Sequence, residues 1–203
     1  AILLREEFFK QNQKTDGKHR LKYFNSYGTQ NNPEEISQYL DDNNFTYENI
    51  CPQSIARLLA NGQIIGCLSG KYEFGPRALG FRSILTDPQP VENWPRVNNT
   101  IKFREDFRPF APIMLKEDAE KFWGDESIPT DSPYMLLAPK MSAESSIKLG
   151  AVTHHDLSAR VQTLEQSFNP LVYQILLEFK KQTGVGVLMN TSLNMSGESI
   201  IID

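Results

Sequence analysis

The stretch NPLVYQILLEFKKQTGVGVLMN, residues 169–190, specifies a helix followed by a buried strand. Asn169 is a suitable N-cap, and Pro170 suits the first helical position because its missing N–H would have no intrahelical partner there. Apolar side chains then recur at helical spacing, at Leu171, Ile175, Leu176 and Phe179. A glycine at position 184 ends the helix, and residues 185–189 form an apolar run of strand length. The stretch therefore predicts a helix packed on a sheet, with a polar turn at residues 190–197.

In the rest of the chain, the predicted helices and strands follow one another without strict alternation. The pattern predicts helices beginning at Pro33 and covering residues 53–60, 96–103 and 116–123. It predicts strands at residues 63–69, 83–86, 111–115, 134–138 and 161–164, and loops at 70–80, 124–132 and 140–150. This mixture favours an α+β (mixed α/β) fold with a twisted, partly antiparallel sheet and flanking helices. We assign residues 33–203 to one domain and residues 1–32 to a linker or the trailing edge of a missing N-terminal domain.

Composition is that of a globular protein without a membrane span. The 203 residues are 39% hydrophobic and 23% charged, and no apolar run approaches the ~20 residues that cross a bilayer. The start lacks both a signal peptide and an initiator Met, so we expect a cytoplasmic chain that begins inside a longer one. The apolar run at residues 200–202 predicts that the end is cut short as well.

The net charge of −4 disfavours binding to membranes or nucleic acid. Cys51 and Cys67 lack metal-ligand spacing, so we expect two reduced thiols and no metal site.

A glycine-rich loop, GKYEFGPRALGFRS at residues 70–83, is the first candidate for anion binding. It holds Lys71, Arg77 and Arg82 among three glycines. Glycines let backbone N–H groups come close to a ligand, and guanidinium groups match phosphate oxygens. The loop has neither a Walker A nor a GxGxxG pattern, so an irregular loop with Arg–Glu pairs is the alternative.

A second cationic segment, KFREDFRPFAP, spans residues 102–112. Lys102 and Arg104 flank a phenylalanine, so in an extended conformation the two cations would share one face, while the prolines would fix Arg108. Three cations within seven residues of an acidic chain are expected to face an anion. The alternatives are single-stranded nucleic acid, which the net charge disfavours, and surface pairs with Glu105 and Asp106.

Two further segments contain candidate ligands. The turn predicted after the last strand carries Asn190, Thr191, Ser192 and Asn194, whose amides and hydroxyls suit phosphate, ribose or a carbonyl group. Asn and Ser are also common in turns, so this segment alone is a weak signal. Residues 152–160, VTHHDLSAR, place at most one of His154 and His155 toward a site, because neighbouring side chains of a strand face opposite sides. Arg160 would extend the cationic wall.

Four separated motifs together resemble the C-terminal domain of the nodulation-type O-carbamoyltransferases, which carbamoylate Nod factors, aminoglycosides and cephem antibiotics. The motifs are GPRALG with RSIL at residues 75–85, IKFREDFRPFAP at 101–112, VTH, AR and QT within 152–163, and LMNTSLN with GE at 188–198. They occur in order from about residue 53 to the end of the chain. Four motifs in register are far more specific than any one of them.

The resemblance implies a YrdC-like fold in which a Lys-x-Arg and a Ser-x-Asn element bind ATP and an acyl-phosphate-type substrate. It implies that carbamoyl phosphate and ATP with Mg²⁺ give carbamoyl-adenylate and pyrophosphate, after which the carbamoyl group passes to a hydroxyl acceptor. On this basis the candidate catalytic residues are Lys102, Arg104 and Arg108. The candidate substrate- and nucleotide-binding residues are Lys71, Arg77, Arg82, His154, Arg160, Asn190, Thr191, Ser192 and Asn194. Lys71 departs from the arginine expected in many relatives, which would remove a bidentate contact.

The resemblance also implies an N-terminal ASKHA-like domain that completes the transfer and holds a transition metal, with no such metal in this chain. Two other functions stay open at this point. One is a non-catalytic nucleotide- or anion-binding module that regulates the missing domain. The other is an RNA-binding YrdC-like module, which the acidic charge disfavours and which would show strongly salt-dependent affinity.

Overall fold

The computed structural model describes residues 32–123 and 129–201 and has a five-stranded mixed sheet at its centre. The strands are β1 (Ile65–Leu68), β2 (Arg82–Thr86), β3 (Ala111–Leu115), β4 (Gln162–Leu164) and β5 (Val187–Ser192). Their order across the sheet is β1-β2-β5-β3-β4; β3 and β4 pair in parallel, and the other neighbours are antiparallel. The predicted α+β class with a partly antiparallel sheet is confirmed. The predicted linker lies outside the described residues, apart from Asn32.

Helices cover both faces of the sheet. They are α1 (Pro33–Asp42), α2 (Pro52–Ala60), α3 (Asn93–Val97), α4 (Ala143–Lys148) and α5 (Pro170–Thr183). The π-helical turn Asn98–Lys102 continues α3, and Lys116–Lys121 is a 3₁₀ helix. Helices α2 and α5 pack together over one face, while α3 and the 3₁₀ helix contribute to the core on the other. Among the described residues no helix is long and apolar enough to cross a membrane.

Strand β5 separates the two cores by the alternation of its side chains. Leu188 packs under α2 and α5, whereas Val187 and Met189 pack in the core on the opposite face. Successive side chains of a strand point to opposite faces, so a strand covered on both faces is apolar throughout. This explains why the apolar run before Asn190 shows no alternation.

The start of α5 has the predicted cap, and the cap has a second role. Asn169 Oδ1 accepts a hydrogen bond from Val172 N at 3.1 Å, while its Nδ2 donates to Gly80 O at 3.0 Å. Gly184 ends the helix with a φ of 77°, a conformation that glycine adopts without steric cost. The N-cap therefore anchors the glycine-rich loop to the best-specified helix of the fold.

Several local predictions are wrong where tertiary contacts override the local pattern. Residues 134–138 are not a strand, because Leu137 forms only an isolated bridge with Val161. The predicted loop at 140–150 contains α4, whose N-cap Ser142 accepts from Ser145 N at 3.2 Å. Strand β5 continues to Ser192, into the predicted turn, because Asn190 to Ser192 pair with β2. Within the loop predicted at 124–132, residues 124–128 lie outside the described part. The two cysteines are free, as expected.

Candidate active site

A small cavity at the end of β5 brings together seven of the side chains predicted from the sequence. Its volume is about 130 Å³. The glycine-rich loop, the segment before β3, the turn before β4 and the last residues of β5 form its wall. The predicted residues that line it are Arg77, Arg104, His154, Arg160, Asn190, Thr191 and Ser192.

Three arginines determine the charge of this cavity. Within the described part of the chain, none of Arg77, Arg104 and Arg160 forms an ion pair with a carboxylate. Burial and the neighbouring Arg160 lower the pKa of Arg77, and burial and Arg108 lower the pKa of Arg104 against the opposing effect of Glu105. Like charges held close together and not paired with a carboxylate of the described residues favour a bound anion. The arrangement has the electrostatics of an anion-binding site.

Arg104 is held by Asn98, a residue that the sequence analysis did not single out. Asn98 is fully buried and accepts from Arg104 Nε at 2.7 Å. Its Nδ2 donates to Asp106 O at 3.1 Å and to Arg108 O at 3.0 Å. The guanidinium carbon of Arg104 also lies 4.9 Å from the centroid of the Phe110 ring. Asn98 thus orients Arg104 together with the loop that follows it, and no sequence signal marked it, because Asn is common in turns.

Lys102 does not line the cavity, but it contacts Ser192, which does. It ends the π-helical turn, and Phe103 follows in a left-handed conformation with a φ of 46°. The predicted extended arrangement, with Lys102 and Arg104 on one face, is therefore wrong. Lys102 is 3% exposed, and its Nζ lies 2.7–3.2 Å from four oxygens of Ser192 and Asn194. Burial, with a smaller effect of Arg104, lowers the pKa of Lys102 to about 8.

Ser192 lines the cavity and contacts both Lys102 and Asn194. Its Oγ donates to Asn194 Oδ1 at 2.5 Å and accepts from Lys102 Nζ at 3.2 Å. Asn194 Nδ2 in turn donates to Glu198 O at 2.6 Å. In the part of the chain that the structure describes, no imidazole or carboxylate contacts Ser192 Oγ, so a Ser–His–Asp relay is not formed there.

Asn190 joins the glycine-rich loop to the sheet. Its Nδ2 donates to Ala78 O and to Gln162 Oε1, both at 3.1 Å, and Gln162 Nε2 donates to Leu79 O at 2.9 Å. Because a backbone carbonyl only accepts, these contacts fix the orientation of both amides. Asn190 Oδ1 is then a buried acceptor without a hydrogen-bond partner among the described residues.

A tight turn presents His154 to the cavity. His154 N donates to Ser158 O at 2.8 Å, and Leu157 N donates to His154 O at 2.9 Å. Burial lowers the pKa of His154; the charge of Asp156 opposes this effect and that of Arg160 adds to it. His154 lines the cavity, whereas His155 is exposed and does not; the two residues lie in a turn and not in a strand, so the turn and not strand alternation separates them.

Glu73 shapes the glycine-rich loop. Its Oε1 accepts from three backbone N–H groups, those of Leu79, Phe81 and Arg82, at 2.8, 2.9 and 3.1 Å. The Arg82 side chain is fully buried and donates through Nη1 to the carbonyls of Ser69, Gly70 and Phe81, so it closes the base of the loop. Neither Arg82 nor the exposed Lys71 lines the cavity.

Unusual backbone conformations gather at the cavity. Of the four non-glycine residues with positive φ in the described part, three belong to its surroundings: Phe103, Met135 and Leu157, at 46°, 55° and 63°. Met135 lines the cavity, and the other two lie in the segments that present Arg104 and His154. Such conformations persist only where surrounding contacts impose them, and they are frequent at functional sites.

Two open grooves adjoin the cavity. Arg108 is exposed, pairs with Glu105 at 2.7 Å, and lies with Arg104 along the first. The second has a volume of about 480 Å³ and shares Pro76 and Ser192 with the cavity. Its walls include Asn194 and the rings of Tyr72 and Phe74, whose centroids are 5.4 Å apart. Across residues 32–123 and 129–201, no group of three or more His, Cys, Asp or Glu side chains is arranged to hold a metal.

Comparisons with known proteins identify relatives of this chain. The family model described as "Carbamoyltransferase C-terminus" matches residues 56–203. Nodulation protein NolO of Bradyrhizobium diazoefficiens is 44% identical over 148 residues, which cover 73% of this chain and 27% of that protein. A 3'-hydroxymethylcephem-O-carbamoyltransferase of Amycolatopsis lactamdurans is 44% identical over 143 residues, covering 70% of this chain and 26% of that protein. Nodulation protein U of Rhizobium tropici is 41% identical over 152 residues, covering 73% and 25%. The chain thus spans about a quarter of the length of these relatives.

Proposed function

Because this chain belongs to the carbamoyltransferase C-terminal family, we propose that it is the substrate-binding domain of a cytoplasmic O-carbamoyltransferase that uses carbamoyl phosphate and ATP. The observation that carries the proposal is the cavity wall of Arg77, Arg104 and Arg160, without carboxylate partners in the described part of the chain. The relatives named as nodulation proteins and as a cephem O-carbamoyltransferase support the reaction class.

The size of the cavity favours a small anion. Its volume of about 130 Å³ is below the roughly 300–1,000 Å³ of sites that enclose drug-sized ligands. Carbamoyl phosphate has a dianionic phosphate that suits guanidinium groups and a small carbamoyl group that the remaining wall can contact. We therefore place carbamoyl phosphate in the cavity.

ATP with Mg²⁺ fits better along the neighbouring groove. That groove begins at Ser192, which it shares with the cavity, and its paired rings, Tyr72 and Phe74, offer an aromatic surface to a purine. Mg²⁺ keeps most of its ligands among phosphate oxygens and water when it accompanies a nucleotide. Protein carboxylates are then not required to bind it; Glu73 and Glu198, which line this groove, accept hydrogen bonds from backbone N–H groups.

The arginines would act by binding and by stabilising negative charge. In the overall reaction, carbamoyl phosphate, ATP and one water give carbamoyl-adenylate, pyrophosphate and phosphate. Fixed cations offset the repulsion between the anions and stabilise the charge that develops at phosphorus. Transfer of the carbamoyl group to a hydroxyl acceptor would take place with an N-terminal ASKHA-like domain, which would hold the transition metal.

Calorimetric titration with carbamoyl phosphate tests the proposal. Arg160→Gln is the informative variant, because Arg160 lines the cavity and, among the described residues, forms no ion pair with a carboxylate. Arg57→Gln is the matched control, since Arg57 is an exposed arginine of α2 that does not line the cavity. We expect affinity to fall about tenfold or more in Arg160→Gln and to stay unchanged in the control.

The outcomes separate the candidate functions. Loss of affinity in both variants alike would show a non-specific charge effect and contradict the cavity assignment. Carbamoyl phosphate binding without ATP-Mg²⁺ binding would favour the non-catalytic anion-binding module. Tight, salt-dependent RNA binding by the wild type would overturn the proposal in favour of an RNA-binding role.

A further inference from the structure

A chain of hydrogen bonds runs from the surface to His154. Lys140 Nζ donates to Asp156 Oδ2 at 2.9 Å, and Asp156 Oδ1 accepts from Ser158 N at 3.0 Å and from Ser158 Oγ at 2.6 Å. Ser158 Oγ lies 3.1 Å from His154 Nδ1. The chain therefore ends on one ring nitrogen of a side chain that lines the cavity.

This connectivity fixes the tautomer of the imidazole. A hydroxyl has one proton, and an ionised carboxylate can only accept, so the Ser158 proton points to Asp156. Ser158 Oγ must then accept from His154 Nδ1–H. The hydrogen bonds from Ser158 and Lys140 hold the pKa of Asp156 well below its usual range, which keeps it an acceptor. A neutral imidazole with its proton on Nδ1 has an unprotonated Nε2.

An unprotonated nitrogen contrasts with the guanidinium groups of this wall. Guanidinium groups have hydrogen-bond donors and no acceptor, so Arg77, Arg104 and Arg160 suit the phosphate but cannot accept from an amino group. His154 Nε2 can, and His154 lines the cavity. The wall thus combines cations for a phosphate with an acceptor for an N–H group.

We propose that His154 Nε2 accepts a hydrogen bond from the amino group of carbamoyl phosphate and makes the site prefer this acyl phosphate to acetyl phosphate. Acetyl phosphate has a methyl group where carbamoyl phosphate has the amino group, so it leaves the acceptor unpaired. A site built to pair an N–H group discriminates against an analogue that lacks it. Asp156 and Ser158 are positioning residues that hold the imidazole in the required tautomer. The inference rests on the proposed function, since it takes the cavity as the acyl-phosphate site.

The test compares two affinities in each protein. The dissociation constants of carbamoyl phosphate and acetyl phosphate are measured for wild type, His154→Phe, His154→Gln and Ser158→Ala. We expect about a tenfold preference for carbamoyl phosphate in the wild type, a difference that one hydrogen bond can supply. His154→Phe should weaken carbamoyl phosphate binding about tenfold more than acetyl phosphate binding and so abolish the preference, and His154→Gln, which retains an acceptor, should restore part of it. Ser158→Ala should weaken it.

Nitrogen NMR of ¹⁵N-histidine-labelled wild type provides a readout that does not depend on any variant folding. We expect the His154 signals of the Nδ1–H tautomer, with Nε2 unprotonated. An Nε2–H tautomer would overturn the inference, as would equal affinities in the wild type with a parallel loss of both in His154→Phe. In that second case the anion site, and with it the proposed function, would stand. Binding of neither acyl phosphate by folded wild type would instead overturn the proposed function itself.

Discussion

Replacing Lys102 with Met would remove a buried ammonium group that joins two distant parts of the chain. Lys102 Nζ donates to Ser192 O at 2.9 Å and to Asn194 O and Oδ1 at 2.7 Å, with Ser192 Oγ at 3.2 Å. These contacts connect the π-helical turn to the end of β5, next to the cavity. Met keeps an unbranched side chain of similar length and has no donor, so it isolates the loss of the hydrogen bonds.

The expected loss of stability follows from the bonds that would be broken. An ammonium group has three protons, and each buried acceptor left without a partner costs about 1–3 kcal/mol. Ser192 and Asn194 are only half-buried, so water would restore part of this. Met also removes the cost of keeping a buried ammonium charged, but the loss of the donor to four oxygens outweighs this relief, so we expect a net destabilisation of about 2–4 kcal/mol. At about 2–4 °C per kcal/mol for a chain of this size, the melting temperature should fall by roughly 5–15 °C.

The pH dependence has a defined sign. Burial lowers the pKa of Lys102 in the folded protein to about 8, below its ordinary value of 10.5. Between these values the unfolded chain binds more protons than the folded one, so this residue's contribution to stability rises with pH. Keeping the buried ammonium charged has its full cost below about pH 8, and the cost disappears as the pH approaches 10.5. The stability of Lys102→Met should lack this rise with pH.

Chemical denaturation of both proteins at about pH 7 and about pH 9.5 would measure these effects. Lys148→Met is the control, because Lys148 is an exposed lysine in the last turn of α4 and should change stability by less than about 0.5 kcal/mol. Stability of Lys102→Met within about 0.5 kcal/mol of wild type at the lower pH would refute the reasoning. It would mean that the end of β5 is held without the ammonium.

Two further predictions concern the loop and the sheet. Glu73→Ala leaves three backbone N–H groups without their acceptor, so we expect a loss of about 3–5 kcal/mol in thermal or chemical unfolding and weaker anion binding. The exposed Glu105→Ala should lose less than about 1 kcal/mol, and equal losses would contradict the role of Glu73. Gly186→Ala would place a Cβ 2.9 Å from Leu115 Cδ1 and 3.0 Å from Asp118 Oδ2, so we expect about 1–3 kcal/mol of destabilisation. Gly150→Ala, where the nearest atom is 3.4 Å away, should be tolerated, and similar stabilities of the two variants would refute the steric argument.

Helical spacing and caps made some elements predictable from the chain alone. The N-cap Asn169, the apolar period of α5 and the terminal Gly184 are local signals, because a helix forms its hydrogen bonds between residues close in sequence. The pattern at 140–150 predicts a loop, because the short helix α4 shows no clear apolar period. Tyr134 to Ala138 had strand composition but no partner strand to complete a ladder.

Three arginines show how far the residues of the site can be predicted from the sequence. Motif spacing alone placed Arg77, Arg82 and Arg160 in the same class of candidate. In the fold Arg77 and Arg160 line the cavity, whereas Arg82 is buried at the base of the loop. The sequence does not reveal that Glu73 shapes the glycine-rich loop, because this role depends on three backbone N–H groups that come together only after folding.

The α+β class, the best-capped helix, the buried strand after it and the family can be read from the chain alone, since these depend on local patterns and ordered motifs. Which side chains face the cavity becomes known only from the folded protein. That choice depends on contacts between distant residues, such as Asn190 Nδ2 with Ala78 O across 112 positions and Lys102 Nζ with Ser192 O across 90. The direction of a side chain in a loop is set by such contacts and has no periodicity in the chain to reveal it.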